Sequence, residues 1–499
     1  KGDRTGLGII ARILDQPAER IAVRAGQAAV HFGRLAADVA AAAAQLHAEG
    51  VGPGKVVGIR AGNAASGHSY ANWVAHLAAM KLGAAHVSMT DPAAVRATLR
   101  TMSVDCVVGS FELLLDVPPG VRKVQFHADP ARPMAAPAPG AWAEAGDAEG
   151  LAKRLNLTSG TTGKPRFVAW DAGLIEGRVE QVMEAGLVGP ETRLYPLLHL
   201  RTTAGFRYPL AVWAAGGCVI LPPAAKGLAR EHEGVPASNL ITCSPPQLRE
   251  RLAGMAGKWA GREGRTIILL GGRLPAAVRA AALERACSRL LVSYGSTETG
   301  SVALGDDQLI ERHPGAVGML RPGVEVEIVG PDGEPVAPGE PGLVRIRSPL
   351  MVAGYEAGAG TGGESRFKDG WFYPGDVGRL YDDKLLAIDG RAGDTLNLGG
   401  WKVLATDLET RVGQIAGVRD VCAVAMPLPQ GDMLTFGIVC DDGIDFEALN
   451  QQVAALMMRR RPFRLIRMPA IPRNAMGKIP RPLIAARLAA LYEKAAANA

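Results

Sequence analysis

The sequence alternates between helix-forming stretches and short apolar runs, and this order restricts the fold more than any other feature. Residues 35–48 are rich in alanine, which has the highest helix propensity, and residues 70–82 carry apolar side chains at helical spacing. Short apolar runs at 55–60 and 85–88 predict a buried strand after each of these helices. Alternation of this kind is typical of an α/β fold with doubly wound layers.

The middle of the chain continues this pattern and then departs from it. Apolar runs at 240–243 and 266–270 again predict buried strands. Further on, apolar and polar residues alternate with period two at 324–329 and 342–347. This change predicts a small antiparallel, β-barrel-like segment over about 314–389.

Helix–strand alternation resumes after residue 390, which predicts a domain boundary at that point. We expect a large N-terminal domain over 1–389 and a small, mobile C-terminal α/β domain over 390–499, with a hinge near 390–393. Residues 132–149 are rich in proline, alanine and glycine and predict a surface connector.

Composition excludes several classes of protein. The 499 residues carry 55 basic and 49 acidic side chains, a net charge of +6 without a long basic run, so nucleic-acid binding is not expected. No apolar stretch reaches the ~18 residues that span a membrane. Six cysteines lie far apart, and the first residues do not resemble a signal peptide. These features favour reduced thiols and a cytoplasmic location, without a membrane partner.

A loop rich in glycine and hydroxyl side chains follows the apolar residues 155–157. Its glycines let successive backbone N–H groups point at one anion, its hydroxyls add donors, and its lysine adds positive charge. It is not a Walker A loop, since Pro165 stands where serine or threonine would be. The pattern predicts a polyphosphate-binding loop, with an ordinary glycine/threonine linker as the alternative. The loop comprises Thr158, Ser159, Gly160, Thr161, Thr162, Gly163 and Lys164.

Four weaker motifs follow the loop along the chain. The turn 294–298 follows an apolar strand, and Asp376 ends the aromatic stretch 371–375. Lysines follow glycines in the segments 397–402 and 472–479. Taken singly, each motif is equally well explained by a surface turn or a surface lysine.

Together, in this order, the five motifs resemble those of the adenylate-forming superfamily. That superfamily includes acyl- and aryl-CoA ligases, peptide-synthetase adenylation domains and luciferases. The resemblance covers most of the chain and is strongest from Leu155 to Lys478. It implies that ATP and a carboxylic acid give an acyl-adenylate and pyrophosphate, after which a thiol takes the acyl group. Mg²⁺ is the implied cofactor, and ATP and CoA are the implied co-substrates of an AMP-forming acid–thiol ligase.

The resemblance also implies roles for individual residues in the first half-reaction. Lys478, Thr162 and Glu298 correspond to catalytic positions, with Glu298 holding Mg²⁺. Tyr294 corresponds to the residue that stacks on adenine. The implied ATP-binding residues are Thr158, Ser159, Gly160, Thr161, Gly163, Lys164, Gly271, Gly272, Arg273, Tyr294, Gly295, Ser296, Thr297, Asp376 and Arg391.

The second half-reaction implies a different face of the C-terminal domain. Rotation about a hinge at Gly393 would replace the Lys478 loop by a glycine-rich strand. In that strand, Gly399 and Gly400 correspond to residues that let pantetheine pass, and Lys402 corresponds to a basic residue of the same motif. A hinge rotation therefore explains how one small domain serves two reactions.

The acid itself is the least defined part of this reading. His199, Gly205 and Phe206 correspond to the carboxylate pocket, with a structural histidine as the alternative for His199. We expect a small or medium acyl or aryl acid. Arg201 and Arg207 could pair with a second acidic group on the substrate, although solvation or pairing within the protein is the favoured reading. The thiol acceptor is expected to be CoA, with the phosphopantetheine of an acyl carrier protein as the alternative.

Four positions depart from the family's pattern. Phe167 and Val292 stand where the family usually has glycine and asparagine, and Pro374 stands where it has threonine. Gly393 stands at the hinge in place of aspartate or lysine. A silent nucleotide-binding module is the competing reading from another class. It is disfavoured because Glu298, Asp376, Arg391 and Lys478 are retained together.

Overall fold

The computed structural model divides the chain into two compact units. The first comprises residues 1–270, 276–302 and 348–367, and the second comprises 271–275, 303–347 and 368–499. The structure describes residues 8–62, 66–136, 148–158, 166–222, 235–255, 257–313, 315–356, 366–398, 401–426, 432–457, 462–473 and 479–497.

Two mixed sheets form the framework of the first unit. One sheet has the strand order β6-β5-β3-β4-β7-β8, with only β8 antiparallel to its neighbour. The other runs β13-β12-β11-β9-β10-β1-β2, parallel except for β2. The strands are β1 Ile21–Ala25, β2 Ala28–His31, β3 Val56–Arg60, β4 Ala85–Ser88, β5 Cys106–Gly109, β6 Lys123–Gln125, β7 Lys153–Thr158, β8 Arg166–Asp171, β9 Arg193–Pro196, β10 Cys218–Leu221, β11 Leu240–Cys243, β12 Thr266–Leu270 and β13 Arg289–Ser296.

Helices connect these parallel strands, as crossovers between parallel strands require. Several helices begin at a side-chain cap, for example α3 at Ser69 and α7 at Thr202. Among the described helices, none is long and apolar enough to cross a bilayer. The helices are α1 Ile9–Leu14, α2 Phe32–Ala48, α3 Tyr70–Lys81, α4 Pro92–Thr101, α5 Phe111–Leu114, α6 Ala172–Glu184, α7 Thr203–Ala214, α8 Pro245–Gly254 and α9 Ala276–Arg285.

The second unit is antiparallel in its first part. Its strands pair in the order β19-β17-β20-β21-β15-β14, and β16 also pairs with β17. The strands from residue 300 onward are β14 Gly300–Asp306, β15 Ala316–Leu320, β16 Glu325–Val329, β17 Gly342–Arg347, β18 Phe367–Lys368, β19 Trp371–Phe372, β20 Asp376–Leu380, β21 Leu385–Arg391, β22 Thr395–Leu398, β23 Trp401–Leu404, β24 Val418–Met426, β25 Met433–Cys440 and β26 Phe463–Arg467.

The C-terminal part of the second unit has its own small core. A hairpin of β22 and β23 precedes the sheet β24-β25-β26, and apolar residues including Phe436 and Ile438 are fully buried beside it. The helices from residue 307 onward are α10 Asp307–Arg312, α11 Ala405–Val412, α12 Phe446–Leu456 and α13 Arg481–Ala497.

This architecture confirms the predicted α/β class. The runs at 240–243 and 266–270 are the buried strands β11 and β12, and the alternating runs are the antiparallel pair β16–β17. The boundary at residues 389/390 stays a prediction. Of the predicted connector 132–149, residues 137–147 lie outside the described part of the chain.

Candidate functional site

The predicted phosphate loop connects two paired strands. β7 and β8 are antiparallel, and Thr158 lies opposite Arg166 in their register, so the two ends of the loop are adjacent. The loop residues Ser159, Gly160, Thr161, Thr162, Gly163 and Lys164 lie outside the described residues, as does the side chain of Thr158.

The turn after β13 places Thr297 and Glu298 at the end of a parallel strand. Ser296 Oγ accepts hydrogen bonds from the backbone N–H groups of Glu298 and Thr299, both at 3.2 Å. The Thr299 hydroxyl in turn accepts a 3.2 Å bond from the Ser296 N–H. These reciprocal bonds fix the turn, which lies at the strand end where α/β sheets commonly bind ligands.

Gly295 permits the tight return of the chain after this turn. A Cβ atom at residue 295 would lie 1.9 Å from the carbonyl oxygen of Gly300, a distance that no side chain tolerates. The sequence predicts Tyr294 at the carboxyl end of a strand, and the structure places it there, half-buried, with β13 continuing to Ser296.

A buried arginine, Arg178 on α6, binds the backbone of the same turn. Its guanidinium donates to the carbonyl oxygens of Thr297 and Glu298 at 3.0 Å and to that of Leu350 at 2.7 and 3.0 Å. It also lies 4.1 Å from the ring of Trp170, whose indole N–H donates to the Thr297 carbonyl. The turn is therefore bound to α6 and to β8, the strand that leaves the phosphate loop.

The carboxylate of Glu298 is buried and has a defined partner. Its exposed fraction is 7%, and its Oε1 accepts a 3.1 Å hydrogen bond from the hydroxyl of Tyr355. Burial, and then the charge of Glu298, raise the pKa of Tyr355 to about 12, so this hydroxyl remains a donor at neutral pH. A fixed carboxylate oxygen is a ligand of the kind that Mg²⁺ prefers, so the residue fits the implied metal.

In the second unit, the structure brings Asp376 and Arg391 together. They lie opposite each other on β20 and β21, and Arg391 Nε is 3.2 Å from Asp376 Oδ1. The turn before Asp376 depends on Gly375, which has a positive φ of 78°. The two residues predicted to bind one ribose are thus adjacent in the structure.

The predicted adenine-lining stretch also lies in the second unit. Gly271 has a positive φ of 85°, and Gly272 and Arg273 follow it in an exposed turn. Burial raises the pKa of Asp389, while the nearby positive charges of Arg379 and Arg273 oppose the shift. The positive charge of Arg273 therefore acts on a carboxyl group of the strand that ends at Arg391.

His199 is held as a neutral imidazole. Its Nδ1 accepts a 3.2 Å bond from the Arg201 N–H, and its Nε2 lies 3.3 Å from the Thr90 hydroxyl. Burial, followed by the charge of Arg201, lowers the pKa of His199 to about 3. Arg201 pairs with Asp91 at 3.3 Å, which confirms the reading that this arginine is paired within the protein.

Gly205 lies at the start of α7, close to His199. A Cβ atom at residue 205 would lie 2.1 Å from the His199 carbonyl oxygen, so only glycine fits there. The neighbouring Arg207 is buried, with its guanidinium 5.2 Å from the ring of Tyr208.

Phe206 lies in a buried cluster of rings and charge. It has no exposed surface, its ring stacks on Trp73 at 5.5 Å, and the guanidinium of Arg154 lies 3.9 Å above it. Arg154 also donates to the Leu200 carbonyl and the Ser88 hydroxyl, both at 3.0 Å. The cluster therefore supports the His199 segment from the interior.

Several C-terminal predictions lie at the edge of what the structure describes. Gly399 and Gly400 connect β22 to β23 and, like Lys478, lie outside the described residues; the side chain of Lys402, on β23, does too. Gly393 lies exposed in a short 3₁₀ helix, where an added Cβ would meet nothing within 4 Å.

A buried charge cluster surrounds the start of α13, three residues after Lys478. Arg481 lies 2.5 Å from Glu409 and 3.1 Å from Asp394, the residue after Gly393. The structure thus ties the start of this helix to the residues that follow the predicted hinge.

Two of the departures from the family's pattern have a structural account. Phe167 is 2% exposed and belongs to the core on the β7–β8 face, where its ring fills space. Val292 is buried, and the adjacent Ser293 hydroxyl pairs with that of Ser301 at 3.0 Å.

A cavity of about 450 Å³ opens on the sheet that contains β7. Among the described residues, no predicted site residue lines this cavity, whereas Phe167, one of the departures from the family's pattern, does. The lining residues are Pro53, Gly54, Val56, Gly83, Ala85, Thr101, Met102, Leu151, Lys153, Leu155, Phe167 and Glu356.

Sequence reasoning missed Arg178 and Tyr355. Arg178 had a detectable signal, because it interrupts the apolar stripe formed by Ile175, Val179 and Val182 on α6. A charged residue in a buried apolar stripe is exceptional, because charged side chains are rarely buried unless they have a partner. Tyr355 had no local signal, since its partner Glu298 is 57 residues away.

Comparison with known proteins identifies the family. The model of the family described as AMP-binding enzyme matches residues 11–356. The chain is 23% identical to the amide bond synthetase McbA from Marinactinospora thermotolerans, with a TM-score of 0.78, covering 96% of this chain and 99% of that one. This likeness confirms the expected fold, with a large N-terminal domain and a smaller C-terminal domain.

Two curated relatives have higher sequence identity to the chain than McbA has, and they differ in how much of the chain they match. A 2-hydroxy-7-methoxy-5-methyl-1-naphthoate–CoA ligase of Streptomyces carzinostaticus is 28% identical over 65% of this chain, which spans only 60% of that relative's length. A fatty acid–acyl-carrier-protein ligase of Mycobacterium marinum is 27% identical, covering 96% of this chain and 97% of the relative.

Proposed function

Because the chain belongs to the AMP-binding enzyme family, we propose that it activates a small or medium carboxylic acid with Mg-ATP and passes the acyl group to CoA. The acid's carboxylate oxygen attacks the α-phosphorus of ATP, and pyrophosphate leaves. The thiol sulfur of CoA then attacks the acyl carbonyl, and AMP leaves. The enzyme is an AMP-forming acid–thiol ligase in this proposal.

The observation that carries the proposal is the fixed carboxylate at the end of β13. Glu298 is buried, bound by Tyr355, and held through its backbone by Arg178. Mg²⁺ bound there would neutralise charge on the phosphates while two anions approach each other. Lys478 is assigned to the same task from the C-terminal domain, and Thr162 from the phosphate loop.

The remaining site residues follow from the same assignment. Asp376 accepts hydrogen bonds from the ribose hydroxyls. Arg391 holds Asp376 in place, since Arg391 and Asp376 form an ion pair at 3.2 Å. Tyr294, half-buried at the end of β13, stacks on adenine. His199, a neutral imidazole, contacts the acid as a hydrogen-bonding group rather than as a cation.

A carrier protein is the second candidate for the acceptor. The relative from Mycobacterium marinum that matches along 96% of this chain is named for transfer to an acyl carrier protein. Gly399, Gly400 and Lys402 serve a pantetheine thiol in either case. A cytoplasmic location belongs to the proposal as well, and the six free, buried cysteines fit a reducing compartment.

Mass spectrometry of products from a panel of carboxylic acids with Mg-ATP and CoA tests the proposal. Acyl-CoA and AMP are the expected products. Acyl-adenylate without acyl-CoA would transfer the assignment to a carrier-protein acceptor. Conversion of ATP to ADP, or no acyl product from any acid, would overturn the proposal.

A further inference from the structure

The position of the Tyr355 hydroxyl is fixed by two contacts on its own ring. The ring of Phe367 meets it edge-on at 5.4 Å, and the guanidinium of Arg166 lies 4.9 Å from its centre. Between them, these contacts hold the aromatic ring while its hydroxyl donates to Glu298 Oε1 at 3.1 Å. A tyrosine held in this way can orient the carboxylate that it binds.

The backbone of the segment around Tyr355 is bound to the same parts of the site. The Val352 N–H donates to the Glu298 carbonyl at 2.9 Å, and the Glu356 N–H donates to the Phe167 carbonyl at 2.9 Å. Arg178 joins the Glu298 and Leu350 carbonyls. The segment therefore bridges the turn that carries Glu298 and the first residues of β8, next to the phosphate loop.

From this geometry we propose that Tyr355 is a positioning residue for the divalent cation, because its hydroxyl fixes the orientation in which Glu298 holds Mg²⁺. The inference rests on the metal-binding role of Glu298 in the proposed function. A glutamate side chain loses rotamer freedom when it binds a metal, and a partner that has already fixed it removes part of that cost. Outer partners of metal ligands typically change metal affinity about 10–100-fold when they are replaced.

Tyr355→Phe removes the hydroxyl and keeps the ring. Calorimetry of ATP binding with and without Mg²⁺ gives the factor by which Mg²⁺ strengthens ATP affinity. We expect this factor to fall about 10-fold in Tyr355→Phe, with the affinity for metal-free ATP unchanged. In the double variant with Glu298→Gln, the loss of the Mg²⁺ effect should not exceed that of Glu298→Gln alone, because both changes act on the same interaction.

Tyr70→Phe is the matched control, since it too breaks a buried tyrosine–carboxylate bond. The Tyr70 hydroxyl donates to Asp38 Oδ2 at 2.7 Å, within the same unit. This variant should lose stability and keep the wild-type effect of Mg²⁺ on ATP affinity.

Three results would overturn the inference. They are an unchanged Mg²⁺ effect in Tyr355→Phe, an equal fall in metal-free ATP affinity, and a wild-type protein whose ATP affinity does not depend on Mg²⁺. Failure of the proposed function is distinct from these: the wild-type protein would bind Mg-ATP and respond to Tyr355→Phe as expected, yet form no acyl-adenylate.

Discussion

At the scale of single residues, the turn that carries Glu298 depends on a close approach of two backbone segments at Gly295. Gly295→Ala places a Cβ atom 1.9 Å from the Gly300 carbonyl oxygen, so backbone must move. We expect a loss of about 1–3 kcal/mol in the free energy of unfolding, together with weaker ATP binding. Urea unfolding and calorimetry measure the two effects.

Gly120→Ala is the control for that substitution. An added Cβ at residue 120 meets nothing within 4 Å, so its stability should stay within about 0.5 kcal/mol of the wild type. Equal stability of Gly295→Ala and Gly120→Ala would contradict the packing seen at the turn.

The histidines buried near α3 and α7 make stability depend on pH. Burial lowers the pKa of His68 to about 4 and that of His199 to about 3, and it lowers the pKa values of His76 and His86 well below 6.5. Below pH 6.5 the unfolded chain therefore binds more protons than the folded chain, and stability falls as pH falls.

This linkage predicts a lower urea midpoint at pH 5 than at pH 7. His199→Gln should reduce the difference between the two midpoints, because one of the four groups that take up protons on unfolding is removed. The same difference between midpoints in the wild type and in His199→Gln would contradict the burial of His199 as a neutral group.

At the scale of elements, local pattern was sufficient for elements that are buried along nearly their whole length. The predicted strand 240–243 coincides with β11, and the predicted helix 70–82 ends one residue later than α3. The strand β13 is longer than expected. A turn was expected there because Gly295 is a residue typical of turns. The structure instead uses that glycine for the close approach to Gly300.

The site was predictable only in part, because some of its contacts join residues that are far apart in the sequence. Asp376 and Arg391 are recognisable from their motifs and also pair across adjacent strands. The support of Glu298 comes from Arg178 and Tyr355, which lie 120 and 57 residues away along the chain. Contacts over such separations leave no periodicity in a local window.

The first turn of α13 supplies a prediction at this scale. Arg481, Glu409 and Asp394 form a cluster in which burial raises the pKa of Glu409 and Arg481 opposes that shift. Arg481→Met leaves two carboxylates without their shared cation and should lower the free energy of unfolding by about 3–5 kcal/mol. Urea unfolding of the purified variant measures the loss.

An exposed ion pair in the same unit serves as the control. Arg419 and Asp441 lie 3.1 Å apart with more than half of each side chain exposed, so Arg419→Met should cost about 0–1 kcal/mol. Similar losses in the two variants would contradict the burial of the Arg481 cluster.

At the scale of the whole molecule, we propose that one C-terminal domain serves two reactions. In this proposal Lys478 belongs to the adenylation face and Gly399 and Gly400 belong to the thiol face, as the family resemblance implies. Lys478→Ala should reduce adenylate formation by at least about 10²–10³-fold, since one preorganised cation is lost. Thioester formation from supplied acyl-adenylate should continue near the wild-type rate.

Separate assays of the two half-reactions check this prediction. Equal losses in both assays would contradict the division of labour between two faces. A selective loss of the second reaction in Lys478→Ala would reverse the assignment.

Exchange of labelled pyrophosphate into ATP, measured without CoA, is the sharpest test of the proposed function, because it requires reversible formation of an acyl-adenylate. We expect exchange that depends on both a carboxylic acid and Mg²⁺, and that falls sharply in Glu298→Gln. Exchange independent of any acid, or release of ADP in place of AMP and pyrophosphate, would contradict it.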